Sequence, residues 1–350
     1  MRASLLPRID GAGYRAIPAL LATAIALSAQ AAEAPLPKLA LDPTRTTVSG
    51  LSSGAYMAHQ VHVAFSDHIG GAALIAGGPY HCAEGSLEIA LGRCMTPAAG
   101  KEPDTSALVR FAAEQAKAGR IAPLSGLAGD HVLVLHGRAD KTVAESLSGT
   151  IATFYRGIAA STTKPIELRE DIARDFTHTF PTESAGASCT ASTTPYVGKC
   201  GFDAAGEIFS ELYGKPSHPV AAAAGDLRAF DQDAYRDKDV DAFMGSKGYV
   251  YVPKACTGKA HCALHIAFHG CSQSVDAVGE AFVRDAGYNR WADAYDVVVL
   301  YPQARASMAP LNPKGCWDWW GYSGENYDTR DGAQMRLVER ASAALGAPLR

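Results

Sequence analysis

Apolar runs of strand length recur along the chain and alternate with stretches whose apolar residues fall at helical spacing. Thr46-Thr47-Val48-Ser49-Gly50 is β-prone, Ile69 to Pro79 is apolar and ends in Gly77-Gly78-Pro79, and Val132 to Leu135 is apolar up to a glycine turn. Ile166 to Ile172 alternates, and Gly248 to Pro253, Leu264 to Phe268 and Val297 to Pro302 read as three further strands. Short apolar runs bounded by turn residues suit parallel strands covered on both faces. Helices are predicted from Ser53 to about Phe65, where Met57, Val61 and Phe65 recur, over Asp104 to Gly119, and from near Val143 to about Ala160. Two more are expected from about Asp276 to Tyr295 and over Asp331 to Leu345. His59 and His62 on the first helix read as solvent or packing residues, and Ala221 to Asp241 as a connector with one short helix. The pattern predicts an α/β fold with a mostly parallel central sheet flanked by helices.

The first residues follow another rule. Arg2, Arg8 and Arg15 precede the apolar run Ala16 to Leu27, and Ser28-Ala29-Gln30-Ala31 supplies a small-x-small cleavage pattern. Residues 1–31 therefore read as a secretory signal peptide and 32–350 as the mature chain. An uncleaved anchor is disfavoured, because the run falls short of the roughly 20 apolar residues a span needs. Export, to the periplasm or outside the cell, changes how the eight cysteines read. An even count in an oxidising compartment favours disulfides, paired by proximity as Cys82 with Cys94, Cys189 with Cys200, Cys256 with Cys262, and Cys271 with Cys316. The competing account is a zinc site near Cys262 with His261, His265 and His269. Four-residue spacing aligns side chains only on a helix, whereas Ala263 to Phe268 looks like a strand, so no metal is expected.

Of the 350 residues, 47% are hydrophobic and 19% charged, with a formal net charge of −4. That is an ordinary globular composition with no basic footprint, so neither nucleic acid nor an anionic membrane surface is expected as a partner.

The chemistry gathers at strand ends. Gly50-Leu51-Ser52-Ser53-Gly54 matches G-x-S-x-G between a strand and a helix, the setting of a nucleophile elbow, with Ser52 as its serine. Asp140 follows the strand ending in His136-Gly137, a position where open α/β sheets present catalytic groups, although an aspartate there also suits a cap for the next helix. His178, in the loop after the following strand, completes the order Ser, Asp, His; His136, His218 and His269 are rivals. His269-Gly270-Cys271 closes a later strand. An H-G motif of this kind normally precedes the nucleophile and supplies an oxyanion N–H, but here it follows the histidine. The physical reading is a circular permutation, with the oxyanion held by the N–H groups of Ser53 and Cys271; the alternative is an unrelated second α/β domain. Trp317, Trp319 and Trp320, three of four tryptophans, cluster among glycine and polar residues and are expected to rim an apolar substrate.

Together these motifs, with His178-Thr179-Phe180-Pro181-Thr182 and Cys316-Trp317-Asp318-Trp319-Trp320-Gly321, resemble the circularly permuted poly(3-hydroxybutyrate) depolymerases of the fungal extracellular type. The resemblance runs from about Thr46 to the C-terminus. It implies a serine esterase with Ser52 as nucleophile, Asp140 and His178 as relay, Ser53 and Cys271 as oxyanion donors, no cofactor, and a polyester or hydroxyacid-oligomer substrate at the tryptophan segment. Many extracellular polyester depolymerases also carry a separate substrate-binding module and linker, and this chain is read as one catalytic domain with no room for such a module. Feruloyl or acetyl esters are alternative substrates, and a non-catalytic polyester- or carbohydrate-binding protein is the reading from a different class.

Overall fold

The computed structural model describes residues 33–258 and 261–350, with Met1, Ala3, Ser4 and Leu6. The expected signal peptide falls almost wholly outside them. Backbone contacts divide the chain after Ala32, and the fold is that of the unit Glu33–Arg350.

The apolar runs become strands: β1 (Leu41–Leu51), β2 (Ile69–Ile75), β3 (His131–Gly137) and β4 (Glu167–Arg174) in the first half, β8 (Asp226–Asp231), β9 (Lys247–Val252), β10 (Cys262–Phe268) and β11 (Val297–Tyr301) in the second. Between the halves, β5 (Phe180–Thr182), β6 (Ala187–Ser188) and β7 (Val197–Lys199) form a small separate sheet. The main sheet runs β4-β3-β2-β1-β10-β11-β9-β8, parallel from β4 to β11 and antiparallel at β9 and β8. The helices are α1 (Ser53–Ala64), α2 (Leu87–Leu91), α3 (Thr105–Lys117), α4 (Ser146–Ile158), α5 (Ala204–Tyr213), α6 (Val275–Val278), α7 (Ala281–Asp285), α8 (Tyr288–Tyr295) and α9 (Ala333–Leu345). None among the described residues is long and apolar enough to cross a membrane.

Side chains alternate across the sheet into two cores. Val48, Val134, Ile266 and Leu300 meet α1, α3, α4 and α9 on one face; Leu51, Leu133, Leu135 and Val299 meet α5, α7 and α8 on the other. Burial on both faces explains why these strands read as continuous apolar runs.

The order of the strands settles how the halves relate. β10 pairs with β1 in parallel register, Gly50 opposite Phe268, so the later strands extend the same sheet rather than build a second domain. The Leu39 N–H donates to the Leu345 carbonyl at 2.9 Å, which sets the chain entering β1 beside the end of α9. Adjacent ends are the condition under which a fold tolerates permutation, and the architecture is a permuted α/β-hydrolase.

Two expectations are corrected, and the choice left open for the α1 histidines, solvent or packing, resolves to packing. Asp226–Asp231 is a strand, not part of a helical connector: as the sheet edge, only its Phe230 is buried. The helix expected from Asp276 to Tyr295 is broken into α6, α7 and α8 where Gly279 and Gly287 take φ of 60° and 91°. His59 and His62 meet no solvent, because every residue of α1 is buried; His62 bonds the Tyr155 hydroxyl at 2.7 Å and Asp130 at 3.0 Å.

Candidate active site

Parallel register brings the carboxyl ends of β1, β10 and β3 to one edge of the sheet. At the end of β1 the chain reverses into α1 through Ser52, with φ 57° and ψ −123°. A non-glycine residue at positive φ is strained, and the turn is held by bonds that over-determine it. The Ser52 N–H donates to Ile75 O at 2.9 Å, and Ser52 O accepts from Ala55 and Tyr56. The flanking glycines are steric necessities. A Cβ on Gly50 would lie 2.2 Å from Gly54 O, and one on Gly54 would lie 2.3 Å from Phe268 O and 2.5 Å from His269 O. The turn thus presses the Ser52 elbow against Phe268 and His269, where β10 runs into the H-G motif.

Asp140 lies three residues past β3 and divides its carboxylate between two duties. Oδ1 accepts the Thr142 and Val143 N–H groups at 2.7 and 3.1 Å, while Oδ2 accepts from His178 Nδ1 at 2.7 Å. One carboxylate therefore both caps the Thr142–Val143 turn and bonds His178, although α4 itself starts later, at Ser146. Burial alone would raise the Asp140 carboxyl, but the bond and charge of His178 and the two N–H groups outweigh it and hold the pKa below its ordinary value. The His178 loop is backed by the stapled Cys189–Cys200 segment: Thr177 Oγ1 donates to Cys189 O at 2.9 Å, and Ser192 Oγ to His178 O at 3.3 Å.

Ser52, Ser53, His178 and Cys271 line one cavity of about 400 Å³. Ser52 and His178 are not hydrogen-bonded to each other here, and Ser53 Oγ has no partner among the described residues. A larger depression of about 490 Å³, at the other end of the strands around Arg45, His131 and Tyr213, contains none of these groups.

The rival histidines are otherwise engaged. His136 is buried between Ser148 Oγ at 2.8 Å and Val143 O at 3.1 Å, and its burial lowers its pKa. His218 pairs with Asp296 at 3.1 Å on the surface, and His269 accepts the Ala304 N–H at 3.1 Å. All four disulfides pair as proximity suggested. Cys262 is therefore bonded to Cys256, and His265 lies between the Thr47 and Ser49 hydroxyls, an arrangement that leaves neither for zinc.

The tryptophans divide. Trp319 and Trp320 line the cavity, Trp319 stacked on Tyr56 with centroids 4.1 Å apart. Trp317, expected at the rim, is fully buried instead: it packs edge-on against Phe268 and donates its indole N–H to His269 O at 2.9 Å. Between them the buried Asp318 carboxylate accepts the N–H groups of Trp320, Gly321, Tyr322 and Ser323 and the Ser323 hydroxyl. Asp318→Asn should turn an acceptor into a donor facing donors. The expected result is a loss of about 2–4 kcal/mol of stability, read by denaturant unfolding, and a raised KM as the aromatic wall loosens.

Sequence patterns carry no sign of Tyr56, Leu87, Leu91, Met95, Tyr196, Leu311 and Lys314, which also line the cavity. They are scattered over loops and helices whose apposition only the fold creates.

No protein-family model matches the chain. A poly(3-hydroxybutyrate) depolymerase of Delftia acidovorans is 39% identical over 320 residues, 89% of this chain; the match spans 62% of that relative's length. A polyhydroxybutyrate depolymerase of Talaromyces funiculosus is 33% identical over 327 residues, 89% of this chain and 92% of its own. A PHB depolymerase from Penicillium funiculosum superposes with a TM-score of 0.79 at 30% identity, covering 90% of this chain and all (100%) of that one. A serine-to-alanine variant of a PHB depolymerase complexed with an R3HB trimer superposes with the same score and identity over 90% of this chain and 99% of its own. With this likeness running through nearly the full length of the Talaromyces protein, the chain belongs to the polyhydroxybutyrate depolymerase family of ester hydrolases.

Proposed function

We propose that this chain is a secreted serine esterase that cleaves the ester bonds of poly(3-hydroxybutyrate) or its oligomers, with one catalytic domain carrying the activity. The observation that carries the reading is the Asp140–His178 bond of 2.7 Å beside a strained Ser52 elbow in an apolar cavity. With Nδ1 donating to Asp140, His178 Nε2 is free to take the Ser52 proton as Oγ attacks the ester carbonyl. The developing oxyanion meets the N–H groups of Ser53, at the start of α1, and Cys271. Collapse expels the alcohol, which receives the proton from His178. Water, deprotonated by the same imidazole, then releases the hydroxyacid from the acyl-enzyme.

The solved relative that holds an R3HB trimer favours a hydroxybutyrate substrate. Export agrees with four disulfides. The exposed side chains of Leu91 (56%) and Leu311 (52%) at the cavity, and of Met308 (75%) in the Ser307–Asn312 hairpin that carries Leu311, offer apolar contact to an insoluble polymer.

Purified mature protein should clear a poly(3-hydroxybutyrate) film and hydrolyse hydroxybutyrate trimer faster than a feruloyl ester; the reverse preference defeats the polyester reading. An organophosphate should label Ser52, which a non-catalytic binder would leave unmodified. Met308→Ser should lower the ratio of film clearing to trimer hydrolysis severalfold.

A further inference from the structure

Among the described residues the cavity that holds Ser52 carries no carboxylate in its wall, and one lining residue, Lys314, brings an amine side chain. Lys314 is exposed, and among the described residues no carboxylate forms an ion pair with it. Its backbone is fixed against the turn that bears Cys271: the Ser272 N–H donates to Lys314 O at 2.6 Å. Asn312 clamps the same loop through two bonds of 2.9 Å to the Cys316 backbone, and Cys316 is joined to Cys271 by a disulfide. The Lys314 side chain thus rises from a fixed backbone in the lining of a cavity also walled by Leu51, Tyr56, Leu87, Leu91, Met95 and Val143. Apolar walls strengthen its attraction for an anion relative to open water.

Resting on the esterase reading, we infer that Lys314 is a specificity-determining residue. It binds the free carboxylate end of hydroxyacid oligomers and favours soluble, anionic chain ends over neutral esters. When a terminal unit is cut off, the leaving alcohol is itself a 3-hydroxyacid, and its carboxylate lies on the same short carbon chain as the departing oxygen. Ester cleavage consumes water and leaves one acyl fragment and one alcohol, so a cation on that side touches neither the nucleophile nor the relay. An internal ester of a long chain brings no charge there and gains nothing from Lys314.

The test compares kcat/KM for 3-hydroxybutyrate trimer as the free acid and as its methyl ester, in wild type, Lys314→Gln, Lys314→Glu and Lys314→Arg. The ratio of acid to methyl ester should fall about threefold in Lys314→Gln and roughly tenfold in Lys314→Glu, the scale of a partly solvated ion pair. Lys314→Arg should keep it, and salt should lower it in wild type through screening. A ratio that neither the Gln nor the Glu variant moves overturns the inference while leaving the esterase reading intact. Failure of wild type to cleave either trimer overturns the esterase reading and this inference together.

Discussion

Ser52→Ala is expected to lose trimer hydrolysis by roughly five to six orders of magnitude, the scale seen when the nucleophile of a triad is removed. The fold should survive. Ser52 makes no side-chain cap on α1, and the bonds that hold the elbow, from its N–H to Ile75 and to its carbonyl from Ala55 and Tyr56, are all made by backbone. Alanine also carries the same Cβ, so it adds no strain at φ 57° beyond what serine already bears. Thermal melting within a degree or two of wild type, with turnover gone, is the predicted pair of results. If Ser52 and His178 act as one unit, as proposed, the Ser52→Ala/His178→Ala double variant should be scarcely slower than either single one. Activity near wild type in Ser52→Ala would remove the nucleophile assignment.

The residues of this site were legible because strand ends carry local signatures. Gly50 and Gly54 stand where a Cβ would strike neighbouring backbone, and Asp140 follows a strand through a glycine turn. Those are constraints of a few residues, and a sequence displays them. The permuted order was legible for the same reason: His269-Gly270 marks the end of β10 whatever its place in the chain. What a sequence hides is which face a residue takes once the backbone bends irregularly. Trp317 and Trp319 are two residues apart, yet the turn gathered around the Asp318 carboxylate sends one into the core against Phe268 and the other onto Tyr56 in the cavity. Strand β8 escaped because an edge strand need not be apolar; its charged residues suit the outermost position. Gly279 and Gly287 are tolerated within a helical pattern, and their left-handed conformations, which break the helix, emerge only as α7 and α8 pack on the sheet. The stapled Cys189–Cys200 loop was readable as a staple but not as the backing of His178, a contact that arises in three dimensions.

Asp140→Asn separates orientation from charge in this site. The Thr142 and Val143 N–H groups donate to Oδ1, so an asparagine keeps its oxygen there and turns its amide NH2 toward His178. An imidazole facing that donor must accept with Nδ1 and carry its proton on Nε2, the tautomer that cannot take a proton from Ser52. Turnover should fall by roughly three to four orders of magnitude with the backbone unchanged. The same substitution has a signature in stability against pH. The Asp140 carboxyl is held below its ordinary value of 3.8 in the fold, so its ionised form contributes stability that is present above that value and lost as pH falls through the folded one. Wild type should therefore lose stability over Asp140→Asn as pH drops below about 3.8, the two melting curves converging there and differing most near neutrality. A variant that keeps full turnover, or a stability difference that grows on acidification, would show that this carboxylate does not serve His178.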